Sequence, residues 1–143
     1  MTRGVYTYDY GNSGGYTSKM KMHSLGHTYY VPPIHAGGLR YHGTDAQHTD
    51  KSRNCEPIAY HQNEVFQAAH LFAKTEGIVP APESSHAIKG VIDRALQAKK
   101  EGKEEVILFN LSGHGLLDLK GYEDYLDRKL EGYEPEEFPA LNL

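Results

Sequence analysis

The spacing of apolar residues predicts a first α-helix from about Asn63 to Lys74. Its apolar positions fall on one face of a helix with 3.6 residues per turn and comprise Val65, Phe66, Ala69, Phe72 and Ala73. Asn63 is placed to cap the start by accepting a backbone N–H, and Gly77 suits a left-handed end. We therefore expect an amphipathic helix with its apolar face in a core.

A second amphipathic helix is predicted from about Ser85 to Lys100. Its buried stripe comprises Ile88, Val91, Ile92 and Ala95. Ser84 or Ser85 is the expected N-cap, and Gly102 follows the basic end of the helix.

The apolar run Val106–Leu111 is rich in strand-forming residues and is followed by Gly113. Such a run is typical of a strand that is buried on both faces of a parallel sheet. A strand that follows a helix and precedes a glycine turn indicates an α/β fold, with a short parallel sheet flanked by helices.

The remaining segments are less regular. Tyr6, Tyr8 and Tyr10 alternate with polar residues, which is the pattern of a β-strand, and a last helix is predicted over about Tyr122–Leu130. Its inward residues are expected to be Tyr122, Tyr125 and Leu126. The pattern divides the chain into an irregular segment with short strands and turns (1–43), a polar loop (44–57), an α/β core (58–130) and an acidic tail (131–143).

Composition narrows the class of protein. The 143 residues include 15 Lys and Arg against 19 Asp and Glu, which gives a net charge of −4 without a basic cluster for nucleic acid. No apolar run reaches the roughly 18–20 residues that span a bilayer. The single Cys55 has no partner for an internal disulfide. We therefore expect a cytoplasmic domain that binds neither nucleic acid nor membrane.

Two motifs resemble the C-terminal end of the tryptophan synthase beta subunit: ESSHA at Glu83–Ala87 and NLSGHG at Asn110–Gly115. Three further runs are similar to the second, mainly archaeal-type form of that subunit, at Thr2–Gly11, Leu25–Gly43 and Ala59–Ala73. The polar segment Thr44–Pro57 departs from the family, which has an apolar helix there. The resemblance implies the C-terminal part of a fold type II enzyme that uses pyridoxal phosphate (PLP), incomplete relative to the family.

The resemblance also implies cofactor contacts. In the family the serine that matches Ser112 bonds the pyridine nitrogen of PLP, with Gly113 beside it, and the glutamate that matches Glu83 lies near the cofactor with Ser84 next to it. Simpler readings are available. Ser112–Gly115 could be only a tight loop after a strand, and Glu83 could be only a first-turn acid that stabilises the helix dipole.

Several family features have no counterpart in this sequence. The lysine that carries PLP, the glycine-rich phosphate loop and the acid/base glutamate motif do not match any segment of it, so no catalytic residue is assigned and PLP is not expected to bind to this chain alone. An N-terminal half or the alpha subunit is then a possible partner in joining indole and serine. The alternative is a non-catalytic, self-associating or regulatory derivative of the fold, and the exposed core predicts a homo-oligomer.

The 9 histidines raise a third hypothesis, a metal or small-ligand binder. His23 and His27 have the i, i+4 spacing of a helical zinc pair, yet no acidic or cysteine residue shares that spacing. Arg40, Tyr41 and Gly43 resemble a loop that supplies carbonyl groups to a monovalent cation in the family. We predict no specific metal site.

Overall fold

A computed structural model of the chain describes residues 4–45 and 56–133. They divide into two compact units. The first unit contains residues 4–33, 40–45 and 56–59, and the second contains Ile34–Leu39 and Tyr60–Tyr133. Over the described ranges, no helix is long and apolar enough to cross a membrane.

The first unit contains an antiparallel sheet of three strands in the order β1-β2-β3. The strands are β1 (Val5–Tyr10), β2 (Lys19–Ser24) and β3 (Gly43–Asp45). The register pairs Val5 with Ser24 and Tyr10 with Lys19. The strand predicted from the alternating tyrosines is therefore confirmed, although Tyr6 and Tyr8 are exposed and the intervening Asp9 is buried.

The second unit contains the helices α1 (Gln62–Glu76), α2 (Pro82–Glu101) and α3 (Leu119–Leu126). The first two confirm the predicted helices, and Gly77 and Gly102 end them with φ values of +71° and +64°.

The predicted N-caps are wrong for both long helices. The residue before α1 is His61, whose backbone N–H donates to Glu64 Oε2 at 3.2 Å. Ala81 precedes α2, which begins at Pro82 because proline has no N–H to leave unsatisfied at the first helical position. Ser85 therefore lies inside the first turn, where its hydroxyl donates to the Ala81 carbonyl at 2.8 Å.

One hydrophobic cluster of the second unit joins α1 to α3, and α2 adds Ile88 and Ala98 to the buried residues of this unit. Phe66 and Ala69 are completely buried, and the Tyr122 ring packs edge-on against Phe66 with centroids 5.1 Å apart. Partly buried residues that pack against this cluster are Val79, Tyr125 and Leu130. The inward orientation predicted for Leu126 is wrong, because α3 ends at that residue and its side chain is 60% exposed.

The predicted parallel sheet is wrong. Val106–Leu111 forms no strand, and the sheet that the described residues contain is antiparallel and lies in the first unit. Val106 and Leu108 are 101% and 95% exposed, while Phe109 contacts Phe72 with ring centroids 6.1 Å apart. Strand propensity alone does not make a strand, because each edge of a parallel strand needs a neighbour to satisfy its backbone groups.

Two predictions fall largely outside the described residues: the polar loop over 44–57 and the acidic tail over 131–143. Of the polar loop, Thr44 and Asp45 belong to β3, and Glu56 and Pro57 have no regular structure.

Candidate functional site

The loop after Leu111 packs against the turn that connects α1 to α2. The Gly115 N–H donates to the Val79 carbonyl at 2.8 Å, and Pro80 pairs with His114 as an isolated β-bridge. The Tyr122 hydroxyl donates to the Pro80 carbonyl at 2.5 Å from the buried core. This loop is therefore fixed to the turn between α1 and α2, which is itself bonded to Tyr122 of α3.

Ser84 and Ser112 are joined directly. The Ser84 hydroxyl is buried and donates to the backbone carbonyl of Ser112. The side chain of Ser112 itself is exposed, and its hydroxyl has no hydrogen-bond partner among the described residues. The two serines thus differ in what they offer: Ser84 holds the loop, and Ser112 presents a hydroxyl to its surroundings.

Two glycines allow the loop to take this path. Gly113 has a φ of +73°, a conformation that L side chains rarely adopt. A Cβ atom on the buried Gly115 would lie 2.9 Å from both Tyr122 Cε2 and Val79 Cγ1. The glycines after Ser112 are therefore required by backbone conformation and by close packing.

Glu83 lies in the first turn of α2, where the helix dipole favours a carboxylate. Its Oε1 atom accepts a hydrogen bond of 2.8 Å from the Gly38 N–H, within the 3₁₀ turn Gly37–Leu39. The carboxylate therefore connects this turn to α2. The structure brings Glu83, Ser84, Ser112 and Gly113 into one neighbourhood, although their roles as cofactor contacts stay predictions.

Sequence reasoning missed what holds the site in place. The sequence pattern predicts only that Tyr122 points inward, whereas its hydroxyl donates to the Pro80 carbonyl and burial raises the pKa of this tyrosine. The motif that contains Gly115 does not indicate that this glycine is closely packed. The sequence does carry a signal for the turn, since Pro80 and Pro82 flank Ala81 and restrict the backbone there.

The first unit has a buried polar cluster around Asp9 that the sequence did not predict. Its carboxylate accepts hydrogen bonds from the Ser24 hydroxyl at 2.6 Å and the Tyr10 N–H at 2.8 Å, and lies 2.7 Å from His27 Nδ1. Burial by itself would raise the pKa of Asp9, but these three hydrogen bonds outweigh it and hold the pKa below its usual range.

The i, i+4 spacing of His23 and His27 is not that of two residues on one helix. His23 lies in β2, and His27 lies in the turn that follows, so the two do not share a helix face. Over residues 4–45 and 56–133, no three His, Cys, Asp or Glu side chains come together in a way that could hold a metal ion. In the loop that resembles a cation site, the Tyr41 hydroxyl donates to the Gly11 carbonyl at 2.5 Å, and Gly43 pairs with Ser24 in the sheet.

Comparison with known proteins gives a consistent set of relatives. The chain is 79% identical to the tryptophan synthase beta chain 2 of Thermococcus kodakarensis over 144 aligned residues, which cover 99% of this chain and 33% of the relative. Identity is 67% with the Pyrococcus furiosus beta chain 2, over 99% of this chain and 32% of the relative. Identity is 57% with the Aquifex aeolicus beta chain 2, over 91% of this chain and 30% of the relative. The chain thus spans about a third of the length of the curated relatives it matches. No protein-family model matches it.

Proposed function

Because the chain belongs to the tryptophan synthase beta chain family, as a C-terminal part of the archaeal-type form, we propose that it supplies one side of a PLP site. The reaction in question joins indole and serine to give tryptophan. The observation that carries the proposal is the loop Ser112–Gly115: the Ser84 hydroxyl and the Val79 carbonyl hold it in place, while the Ser112 hydroxyl has no partner among the described residues.

The residues fit one contact of the cofactor. When bound, PLP supplies the electron sink that permits replacement at the β carbon of serine. The Ser112 hydroxyl suits its ring nitrogen, because a neutral hydroxyl can bond that nitrogen without requiring that it be protonated. Phosphate and aldehyde anchors have no counterpart in the motifs of this sequence, so protein groups from outside it would have to hold those parts of the cofactor.

The role of each residue follows from its contacts. Ser84 positions Ser112 by holding its carbonyl, Gly113 turns the backbone, and Glu83 fixes the Gly37–Leu39 turn from the first turn of α2. We expect this chain alone to show no turnover. An N-terminal portion of the beta chain is the partner that the proposal requires, and the alpha subunit is a further candidate.

The test is a PLP titration of the purified chain, with and without the N-terminal portion of the Thermococcus kodakarensis beta chain 2. Binding and tryptophan formation are expected only in the mixture. In the mixture, Ser112→Ala should weaken PLP binding about two- to twelvefold, the effect of one neutral hydrogen bond of about 0.5–1.5 kcal/mol.

Ser18→Ala is the matched control, because Ser18 is an exposed serine of the first unit. Equal affinities for the two variants would show that Ser112 is not the ring contact. Absence of PLP binding in the mixture would reject the complementation itself, and turnover by the isolated chain would reject its expected inactivity.

A second candidate is a non-catalytic, self-associating or regulatory derivative of the same fold. It is favoured by the exposure of two apolar side chains of one segment, Val106 and Leu108, which are 101% and 95% exposed. Exposed apolar side chains that lie together mark association surfaces. The two candidates differ in partner, since one requires the rest of a beta chain and the other requires a second copy.

A further inference from the structure

A groove of about 400 Å³ lies in the second unit between α1 and the end of α3. Its lining residues are Asn63, His70, Tyr125, Leu126, Arg128 and Leu130. This volume lies within the roughly 300–1,000 Å³ range of pockets that take small molecules. The groove contains none of the residues that the family resemblance assigns to PLP.

The aromatic wall of the groove is supported from behind. The Tyr125 ring stacks on the buried Phe66 ring with centroids 6.1 Å apart. The centroid of the His70 ring lies 6.2 Å from that of Tyr125. No residue in the described ranges hydrogen-bonds the ring nitrogens of His70. The wall therefore combines a fixed apolar surface with a polar group that is available to a ligand.

The opposite wall is tied to the start of α1. The Asn63 side-chain amide donates to the Leu130 carbonyl at 3.4 Å, and the neighbouring Gln62 amide donates to the Glu131 carbonyl. With its N–H groups directed to Leu130, Asn63 retains its Oδ1 atom as an acceptor. Leu130 packs against the core, which fixes this wall.

Arg128 has an unusual backbone conformation at the edge of the groove. Its φ is +59°, and its N–H closes the end of α3 by donating to the Tyr125 carbonyl at 3.1 Å. Every other described residue with a positive φ is a glycine: Gly15, Gly26, Gly77, Gly102 and Gly113. An L side chain is disfavoured in this conformation, and such positions cluster at ligand sites. A glycine would suit the helix end better than arginine does.

No acidic group that the structure describes forms an ion pair with the guanidinium of Arg128. Nearby lysines pair with the local acidic groups, Lys120 with Glu123 and Asp124 at 3.0 and 2.7 Å and Lys129 with Asp127 at 2.6 Å. Arg128 makes no ion pair with any residue that the structure describes. Its guanidinium is therefore available to an anion beside an apolar wall.

We propose that this groove binds a small carboxylate that carries an apolar or aromatic body. The guanidinium of Arg128 takes the carboxylate in the two-pronged geometry that arginine favours. Tyr125, Leu126 and Leu130 contact the body. The chemistry favours a singly charged anion, because Arg128 is the one guanidinium in the lining and the other lining groups are the Asn63 amide, the His70 imidazole, the Tyr125 ring and the side chains of Leu126 and Leu130.

The experiment titrates the full 143-residue chain with 3-phenylpropionate and with phenylethylamine, which has the same ring but no carboxylate. Chemical shifts of the lining residues report binding. Phenylpropionate should bind with a Kd of about 1 mM or tighter, and Arg128→Gly should weaken it about tenfold or more. Arg128→Lys should bind phenylpropionate with intermediate affinity, because lysine keeps the positive charge but cannot form two parallel hydrogen bonds to the carboxylate.

Two comparisons separate lost binding from lost folding. Glycine suits the φ of Arg128, so Arg128→Gly should unfold at the same Tm as the wild type or a higher one. Arg40→Gly removes the same charge from an exposed residue outside the groove and should leave binding unchanged. Unchanged affinity in Arg128→Gly, equal binding of the amine, or no binding at about 10 mM phenylpropionate would overturn the proposal.

Discussion

At the scale of single residues, the two serines of the candidate site illustrate why residue type does not determine role. Ser84 is buried and its hydroxyl donates to the Ser112 carbonyl. The Ser112 hydroxyl is exposed and has no hydrogen-bond partner within the described residues. A buried hydroxyl must find a partner because leaving it unbonded costs about 1–3 kcal/mol. An exposed hydroxyl has water as its partner, so it can exchange that water for a ligand.

Asp9 allows a prediction about pH at the same scale. Its pKa is lower in the folded protein than in the unfolded chain, so the stability it contributes is fully present above the unfolded value of about 3.9 and is lost as the pH falls through the folded pKa. In Asp9→Asn, the free energy of unfolding should therefore lose part of its dependence on pH below about pH 4. Urea unfolding followed across that range measures it.

His27→Gln serves as the control, because a glutamine can keep an N–H donor near Asp9 without an ionisable ring. It should retain most of the acid dependence, since the hydrogen bonds from Ser24 and the Tyr10 N–H remain. If Asp9→Asn and the wild type respond identically to acid, Asp9 does not contribute to this dependence.

At the scale of elements, the sequence predicts what depends on local pattern. The helices α1 and α2 follow from a 3.6-residue period and from Gly77 and Gly102, and β1 follows from alternating tyrosines. The strand predicted over Val106–Leu111 depends on neighbours far along the chain, and none pairs with it within the described residues. The Asp9 cluster also escaped prediction, because Ser24 and His27 reach it only through the register of β1 with β2.

The contacts of the site loop lead to a prediction about two glycines. Gly115→Ala should destabilise the protein by about 1–3 kcal/mol, because its Cβ would meet Tyr122 and Val79 in a packed core. Gly90→Ala, inside α2, should stabilise by about 0.5–1 kcal/mol, since the nearest atom to its Cβ is the Tyr60 hydroxyl oxygen at 3.9 Å. Chemical unfolding of both variants measures the difference, and equal signs would contradict the packing described for Gly115.

At the scale of the whole molecule, the exposed segment Val106–Leu111 is the feature best suited to association with another polypeptide chain. Its start is held to α2 by an ion pair between Arg94 and Glu105, in which Arg94 Nε donates to Glu105 Oε2 at 2.6 Å. None of its backbone N–H or C=O groups has a partner in the described ranges, and Val106 and Leu108 project into solvent. An extended apolar segment with open backbone groups is a template for pairing with another chain.

Charged substitutions can identify which polypeptide chain, a second copy or the rest of a beta chain, packs on Val106–Leu111. Replacing Val106 and Leu108 together by Lys should prevent association, because two charges would enter the apolar face that a partner must cover. Leu117→Lys is the control, since Leu117 is 91% exposed but lies outside the segment. Light scattering of the chain alone, and of its mixture with the N-terminal portion of the Thermococcus kodakarensis beta chain 2, gives the measurement.

Loss of the mixed complex only in the double variant would support pairing with the rest of a beta chain, and loss of a homo-oligomer would support self-association. A wild-type chain that stays monomeric in both solutions would show that the exposed segment does not act as an association surface.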